Sequence, residues 1–447
     1  MKWSLTSEQE VDLGNGYGRT PEEAVTDFVN SIVQETRKHL PKIPLNQAAV
    51  TIPVNFPLLA RQRLLRAFKQ AGVEITHFYF EPIAAIYAGL IAQPVSGVAA
   101  VFDWGGGSLD IAAVEVRNGI AQTREVVGWH RGGTHFDRLI AEQATNAFLS
   151  QHYDEPALLR LTADQILDRP PWGLLLLSQS NLAKEQLSNN NSSLISVLDF
   201  YDQWLLEYEL TKHHFTELIG PDLHGSMDRL DRVLNSSLVT PRTLARLFLS
   251  GGTCNIQEIQ NRLASDYGDR LTNTLQLPKM LKAPSASGGL DDIGNATAIG
   301  AAMLAGHRAQ ATYSADIGIR LADGHSDGKF LPVFKRGDRV QFDKPESIDL
   351  LVTNTSSMVA RLLICDQTDH VTHPAGRLLR LITIPIDSND KYLWVQLKVN
   401  RHLTLEIKAA GAKQLKIHLP PEAQEPTVTE WVQSLKLGFV LPTLTAQ

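Results

Sequence analysis

The chain has 447 residues, 43% of them hydrophobic, a net charge of −6 and only two cysteines. That length allows two to three domains at roughly 150 residues each, with ample apolar material for cores, and excludes a disordered or fibrous chain. The mild acidity, without a basic block or stripe, argues against nucleic acid as a main partner.

Cys254 and Cys365 are too few and too isolated for a disulfide framework or a metal cluster, and they suit a reducing compartment. The opening stretch "MKWSLTSEQEVDLGNGYG" has no apolar core of signal-peptide type. The greasiest run, Leu174 to Leu177, falls far short of the roughly 20 residues that span a bilayer. The expectation is a cytoplasmic protein with no membrane partner.

The first element in chain order is a helix. Thr20-Pro21-Glu22-Glu23 offers an N-cap, a proline at the first helical position and a glutamate at the third, the reciprocal capping box. Apolar residues then recur at helical spacing through Ala24, Phe28, Ile32 and Val33. "GNGYG" just upstream lacks the full dinucleotide-loop spacing and a preceding strand, so it reads as a plain turn.

Next come a buried strand, "QAAVTIPV", and a helix, "PLLARQRLLRAFKQAG", closing at Gly72. "ITHFYFEP" is a second strand, leading into the small-residue helix "IAAIYAGLIAQ". Strand, helix, strand, helix is an α/β layout. "VFDWGGGSLDIAAVEV" then gives strand, glycine turn and strand, and "RNG" at Arg117 to Gly119 turns the chain again before "IAQTREVVGWH".

From about Thr134 to Leu249 the pattern is mostly helical. "LARLFLSGGTCN" is another strand running into a glycine pair, and "NATAIGAAMLAG" a tightly packing helix of small residues. After residue 306 the texture changes to period-2 alternation. "YLWVQLKV" places Leu393, Val395, Leu397 and Val399 on one face, and "LTLEIKA" and "QLKIHL" follow. The tail carries one candidate helix, "TVTEWVQSLKL".

The glycine triplet between Asp103 and Asp110 makes a tight turn whose amides no side chain screens. Successive exposed N–H groups form an anion seat suited to phosphate, and Ser108 adds a hydroxyl. The flanking aspartates could hold hydrated magnesium or orient a water. No Gly-Lys-Ser/Thr follows, so this is not a Walker loop; an ordinary glycine-rich hairpin is the alternative. Further glycine pairs at Gly132-Gly133 and Gly251-Gly252 supply the loops that a cleft gripping a nucleotide from several sides would need.

Together, "AAVTIPVNFPLLARQRLLRAFKQAGVE", "FEPIAAIYAGL", "VFDWGGGSLDIAAVEV", "GGTHFDRLI", "NLAKEQLS", "LSGGTCN" and "AIGAAMLAG" resemble the nucleotide-binding domain of the DnaK-like, seventy-kilodalton heat-shock chaperones, within the actin-like ATPases. The β-rich region is similar, more loosely, to that family's peptide-binding β-sandwich. The resemblance implies an α/β actin-like ATPase (ribonuclease H-like) nucleotide-binding domain over residues 1–308, incomplete at its N-terminus, with the rest of a first lobe over 1–100 and a second lobe over 101–300. A β-sandwich substrate-binding-like domain over 313–420 and a tail over 421–447 complete the expected organisation.

Residue by residue, Glu81 in "FEPIAA" matches the family's catalytic carboxylate near the γ-phosphate; a lone surface carboxylate is its bland alternative. Asp103 and Asp110 match the magnesium-shell and water-orienting aspartates, Asp103 holding magnesium through water. Gly105, Gly106, Gly107 and Ser108 match the second phosphate loop, and Gly132 and Gly133 a further loop of the site. Lys184, Glu185 and Ser188 match the adenosine-contacting helix, and Gly251, Gly252, Thr253 and Asn255 the adenine-side loop. Pro53 and Arg61 match the hinge proline and the arginine that couple nucleotide state to peptide binding; a strand proline and a solvated helix arginine are the alternatives.

The chain also departs from the family pattern. The family's first phosphate loop, Asp-x-Gly-Thr, and its catalytic lysine have no counterpart here, which leaves strand edges of the first lobe unpaired. The chain is then a piece of a longer protein, is completed by a partner, or has lost turnover. Asn181 stands for a glutamate, Asn255 for an arginine, Gly294 for an aspartate and Thr134-His135 for an acidic pair. The spacing of His130 and His135 is expected to be incidental to metal binding. "GHRAQATYS" lacks the family's acidic-apolar linker, and the tail is too short for a helical lid.

The expectation is a DnaK-like chaperone that binds ATP or ADP with magnesium, an ATP hydrolase if active, and holds unfolded or extended client peptides. J-domain co-chaperones and nucleotide exchange factors are the partners such a protein implies. The alternative is a non-catalytic pseudo-ATPase acting as a binding or assembly module. A sugar-kinase-like enzyme is disfavoured by the β-rich region.

Overall fold

In a computed structural model the described residues are 2–7, 11–12, 18–118, 120–155, 158, 160–169, 171–201, 204–272, 295–306, 310–313, 315–321, 330–351, 359–367, 377–387, 389–412, 428–432 and 437–440. They divide into two units, neither continuous in sequence. Unit 1 gathers Met1–Tyr87, Val114–Val126 and Ala298–Gln447, and unit 2 Ala88–Ala113 and Val127–Thr297.

Unit 1 starts with a short antiparallel pair, β1 (Val11–Asp12) and β2 (Gly18–Arg19). Helix α1 (Pro21–His39) begins at the expected capping box: Thr20 N donates to Glu23 Oε2 at 2.9 Å and Glu23 N to Thr20 Oγ1 at 3.3 Å. The buried face of α1 is Pro21, Val25 and Val29, while Phe28 and Ile32 stand 51% and 49% exposed. The helix carries two apolar stripes, and spacing alone could not tell which one meets the core.

Strand β3 (Gln47–Ile52) runs into Pro53, and a turn closed by Phe56 N donating to Pro53 O leads to α2 (Leu58–Gln70). Gly72 ends that helix at φ 76°, a left-handed conformation that glycine adopts without steric cost. Strand β4 (Glu74–Phe80) pairs parallel with β3 and feeds directly into α3 (Glu81–Ala92).

Unit 2 holds β5 (Gly97–Trp104), the start of β6 (Leu109–Arg117) and the end of β7 (Ile120–Trp129), strands of one sheet that two later strands extend. All of β5 beyond Val98 is buried, as is β6 up to Val114. A continuous apolar run is the signature of strands covered on both faces. The chain turns between β6 and β7 at Asn118, φ 52°. Helices α4 (Gly133–Gln151), α5 (Ala163–Leu167) and α6 (Trp172–Gln186) follow.

Residues 134–249 are mostly helical, as expected, but include a hairpin that the pattern did not show. Strands β8 (Ser192–Phe200) and β9 (Trp204–Thr211) form an antiparallel hairpin before the long α7 (Lys212–Ser236). In β8, Ser193, Ile195 and Val197 are buried while Leu194 and Leu198 are exposed, so burial alternates with period 2 although the apolar residues do not. Strand β10 (Arg246–Ser250) then pairs parallel with β5, and α8 (Gln257–Tyr267) leads to β11 (Leu271–Thr272), giving the sheet order β11-β10-β5-β6-β7.

The chain rejoins unit 1 within α9 (Ala296–Gly306), whose Gly300 lies directly on the Ala84 carbonyl of α3, with no room for a side chain. Strand β12 (Gln310–Tyr313) precedes two four-stranded sheets. One combines β13 (Asp316–Leu321), β14 (Phe330–Phe334), β16 (Val359–Gln367) and β17 (Arg377–Pro385); the other combines β15 (Pro345–Leu351), β18 (Tyr392–Val399), β19 (Leu405–Ala412) and β20 (Val428–Val432). Strand β17 lies against β19 and β20 of the other sheet.

The helix expected in "TVTEWVQSLKL" is also corrected. Val428–Val432 pairs antiparallel with Leu405–Ala409, and β21 (Leu437–Val440) pairs with β12. The β-branched and aromatic residues of "VTEWV" favour a strand once β19 offers an unpaired edge. "QLKIHL", Gly294, most of "GNGYG" and part of "GHRAQATYS" lie outside the described residues.

Candidate functional site

The base of the site is Trp104, buried at the end of β5 between Phe102 and Phe136 in edge-to-face contacts of 5.6 Å each. Its indole Nε1 donates to Arg131 O at 3.0 Å. From this anchor the chain makes the turn Gly105–Ser108, closed by Gly105 N donating to Ser108 O at 2.9 Å. Ser108 Oγ donates to Asp110 Oδ2 at 2.7 Å in a buried bond. Asp103 is nearly buried, opposite Ser250 of β10, and accepts from Thr297 Oγ1 at 3.4 Å.

The other two glycine pairs close onto this turn. Gly133 N donates to Gly105 O at 3.1 Å, and both Thr134 N and Thr134 Oγ1 donate to Gly106 O at 2.8 Å. From the third loop, Thr253 Oγ1 donates to Gly105 O at 2.9 Å. A Cβ at Gly132 would stand 2.6 Å from Gly105 O, and one at Gly251, whose φ is 85°, would overlap the Trp104 carbonyl. Only glycine lets three backbones approach so closely. The amides of Gly106 and Gly107 have no hydrogen-bond acceptor among the described residues.

Beside this knot lies a cavity of about 400 Å³. Of the residues singled out from sequence, Gly106, Gly133 and Gly252 line it from the loops, and Thr253 and Asn255 from the turn after β10. Lys184 and Glu185 of α6 line it together with Ser188 just beyond. The remaining loop residues Gly105, Gly107, Ser108, Gly132 and Gly251, with Asp103 and Asp110, belong to the same unit but not to the wall. Asp137 and Ile256 were missed; Asp137 stood four residues after a quoted glycine, with nothing in its spacing to mark it.

Lys184 Nζ lies 2.6 Å from Asp137 Oδ1 and donates to Gly133 O at 3.1 Å. The two side chains form a close ion pair. Burial pushes the Asp137 carboxyl above its ordinary value, with Lys184 pulling the other way. Asn181 Nδ2 donates to Glu185 Oε1 at 3.2 Å. Cys254, just below the third loop, is fully buried, and burial pushes its thiol up to about 12.

His135 meets a carboxylate and an arginine. Its Nε2 lies 3.1 Å from Asp222 Oδ2 and 2.7 Å from Arg131 Nη1, and among the described residues no group of three or more His, Cys, Asp or Glu side chains could hold a metal ion.

Glu81, Pro53 and Arg61 belong to unit 1. Glu81 opens α3, and Pro53 starts the turn before α2. Arg61 is 0% exposed: its Nε donates to Phe56 O at 2.9 Å, and its Nη1 to His402 O at 2.9 Å and Leu403 O at 3.0 Å. Burial pushes the guanidinium down to about 10. The solvated-arginine alternative is therefore overturned; the side chain ties α2 to the turn between β18 and β19.

Residues 7–283, more than half of the chain, match the family model described as "Hsp70 protein". The chain belongs to the Hsp70 family. Hsp70 membership carries the actin-like nucleotide-binding fold, in keeping with the mixed α/β architecture described above. Among curated Hsp70 relatives, a "Heat shock protein 70 homolog" of Acanthamoeba polyphaga mimivirus is 29% identical over 60% of this chain and 28% of its own length. "Chaperone protein DnaK" of Thermus thermophilus is 28% identical over 64% of this chain and 43% of its own. "Heat shock 70 kDa protein 2" of Paracoccidioides lutzii is 24% identical over 77% of this chain and 50% of its own. The chain thus spans half or less of the length of these Hsp70 relatives. No described helix is long and apolar enough to cross a membrane.

Proposed function

We propose that unit 2 binds ATP or ADP as the magnesium complex, and that the chain acts as a DnaK-like chaperone. The observation that carries the nucleotide reading is the knot of three glycine loops, whose carbonyls are consumed in holding one another while the Gly106 and Gly107 amides stay unclaimed. Unclaimed consecutive amides at a strand end are suited to phosphate oxygens. Magnesium keeps most of its waters and takes one or two carboxylates plus phosphate oxygens, a demand that Asp103 and Asp110 fit. When bound, the metal supplies charge neutralisation on the phosphates.

On this reading Asp103 holds metal-bound water, and Asp110, steered by the Ser108 hydroxyl, orients a water. Lys184, Glu185, Ser188 and Asn255 border the nucleoside. The catalytic role of Glu81 rests on its motif alone. We read the two four-stranded sheets, the second closed by Val428–Val432 beyond the expected boundary at residue 420, as a β-sandwich that holds extended apolar client segments; exposed Val359, Leu378 and Leu381 on neighbouring strands support an apolar surface there. The bonds from Arg61 to His402 and Leu403 support its part in coupling, with Pro53, between α2 and the β region. J-domain co-chaperones and nucleotide exchange factors follow from the same reading, as does a cytoplasmic location, in keeping with two buried, unpaired cysteines.

A second reading, a pseudo-ATPase without turnover, is favoured by one observation: Lys184, the cation among the described lining residues, is already paired with Asp137. Isothermal titration with Mg-ATP separates binding from its absence. Micromolar affinity that Asp103→Ala abolishes supports the nucleotide reading, and no heat at millimolar nucleotide sinks it. Phosphate release at a slow steady rate would then decide between turnover and pseudo-ATPase.

A further inference from the structure

The tip of the β18–β19 hairpin sits in a strained and charged seat. Leu403 is 0% exposed and stands at φ 58°, a left-handed conformation that leucine keeps only where its surroundings impose it. Arg61 of α2 supplies one side of the seat through its bonds to His402 O and Leu403 O. The Phe78 ring of β4 supplies another, 5.9 Å from the His402 imidazole in an edge-to-face contact. Two histidines flank it: His402 on the turn, and His77 on β4, stacked on Tyr79 at 6.2 Å. The charged and titratable groups facing them among the described residues are Arg61 from α2, Tyr79 from β4, Arg401 from the turn and Asp343 from the loop before β15. Arg401 Nε lies 3.3 Å from Asp343 Oδ2, so that carboxylate is already engaged.

We infer that this turn is an acid-released latch: protonation of His77 and His402 frees the hairpin tip from α2 and lets Leu403 leave its left-handed conformation. Two protons added here set four cations, with Arg61 and Arg401, around the Asp343 carboxylate. A contact held by packing alone would not answer to protonation. This one places two imidazoles, neither of them fully buried, beside arginines, and like charges at close range repel. Burial is the largest cause that holds both imidazoles below their ordinary value. Arg401 adds to it at His77; at His402 Asp343 opposes it, and Arg61 and Arg401 add to it. A released turn therefore takes up protons at higher pH than a latched one. The latch is complete above about pH 6.5 and loosens as the pH falls below it. The strain at Leu403 acts in the same direction, because release relieves it.

Hydrogen exchange of the full chain tests this, read as protection factors so that the intrinsic effect of pH on exchange cancels. Wild type, His77→Gln, His402→Gln and the double variant are compared at about pH 7.5 and about pH 5.5, on either side of the ordinary imidazole value. The reporters are the Leu403 amide, bonded to Asn400 O, and the Thr404 amide, bonded to Asn400 Oδ1. Their wild-type protection is expected to fall at the lower pH by up to about tenfold for each histidine, to values below those of β3 and α1, which open only with the whole unit. Each single variant should lose part of the fall, and the double variant nearly all of it. Protection that does not change in the wild type, or falls as far in the double variant, overturns the inference. Turn protection no lower than that of β3 and α1 overturns it too, because the tip then opens only with the unit as a whole. Should the histidine variants fail to fold, Arg401→Gln, at a side chain 59% exposed, decides: with one cation fewer the fall should move to lower pH, and a fall that stays in place refutes the latch.

Discussion

Gly251 and Gly252 are adjacent and interchangeable to any reading of the sequence, yet the structure gives them opposite fates under the same substitution. At Gly251 an alanine meets two penalties. The backbone sits at φ 85°, and the new Cβ overlaps the Trp104 carbonyl and stands 2.8 Å from Gly105 N. A left-handed conformation costs a side-chain-bearing residue about 1–2 kcal/mol. Forcing backbone apart in a packed site costs about 1–3 kcal/mol more. Loss of unfolded-state freedom returns about 0.4–1 kcal/mol. The net expectation for Gly251→Ala is a destabilisation of about 1–5 kcal/mol. At Gly252 the Cβ meets nothing within 4 Å and φ lies outside the left-handed region, so Gly252→Ala keeps only the favourable entropy effect and should be neutral or stabilising by up to about 1 kcal/mol. Urea unfolding of both variants, followed by tryptophan fluorescence with Trp104 as the nearest reporter, measures the difference. Gly252→Ala destabilising as much as Gly251→Ala would refute the account of interlocked loops.

Other consequences follow in unit 1. Arg61→Ala removes a buried charged donor to three carbonyls, each such bond being worth about 1.5–3 kcal/mol before coupling; the expected combined loss is about 3–5 kcal/mol. Hydrogen exchange should quicken at Leu403 and Thr404, and Arg61→Lys should not restore it, because an ammonium lacks the planar fork. Unchanged exchange would show that the turn holds without Arg61. Burial holds the His402 imidazole below its ordinary value; Asp343 pulls it up, and Arg61 and Arg401 push it further down. The unfolded chain therefore takes the proton first, so the stability of unit 1 is complete above about pH 6.5 and falls as the pH drops below it. Melting curves at neutral and mildly acidic pH check the fall, and His402→Gln should flatten it.

Much of the local structure was legible because it depends on neighbours in sequence. Thr20 and Glu23 specify the start of α1 without help from elsewhere, and the unbroken apolar run around Asp103 announces two strands covered on both faces. The Ser192–Thr211 hairpin was not legible, because its first strand buries Ser193 and exposes Leu194 and Leu198, against the residue types. Two expectations failed for lack of a partner in view. Phe28 and Ile32 form as good a stripe as Val25 and Val29, and the packing of α1 decided between them. "VTEWV" is a strand because β19 has an edge to fill, a fact that no local pattern contains.

By itself the sequence determined where α1 and the strands around Asp103 begin, that a glycine triplet and two glycine pairs stand at strand ends, and which family the chain resembles. These follow from capping chemistry, periodicity and motif spacing, all set within a few residues along the chain. Tertiary structure alone decided that Gly251 sits at positive φ against the Trp104 carbonyl while Gly252 faces open space, that Arg61 is buried against a turn more than three hundred residues away, and that Lys184 pairs with Asp137. Each of those is a contact between backbones or charges far apart in the chain, and only the folded arrangement sets their distance.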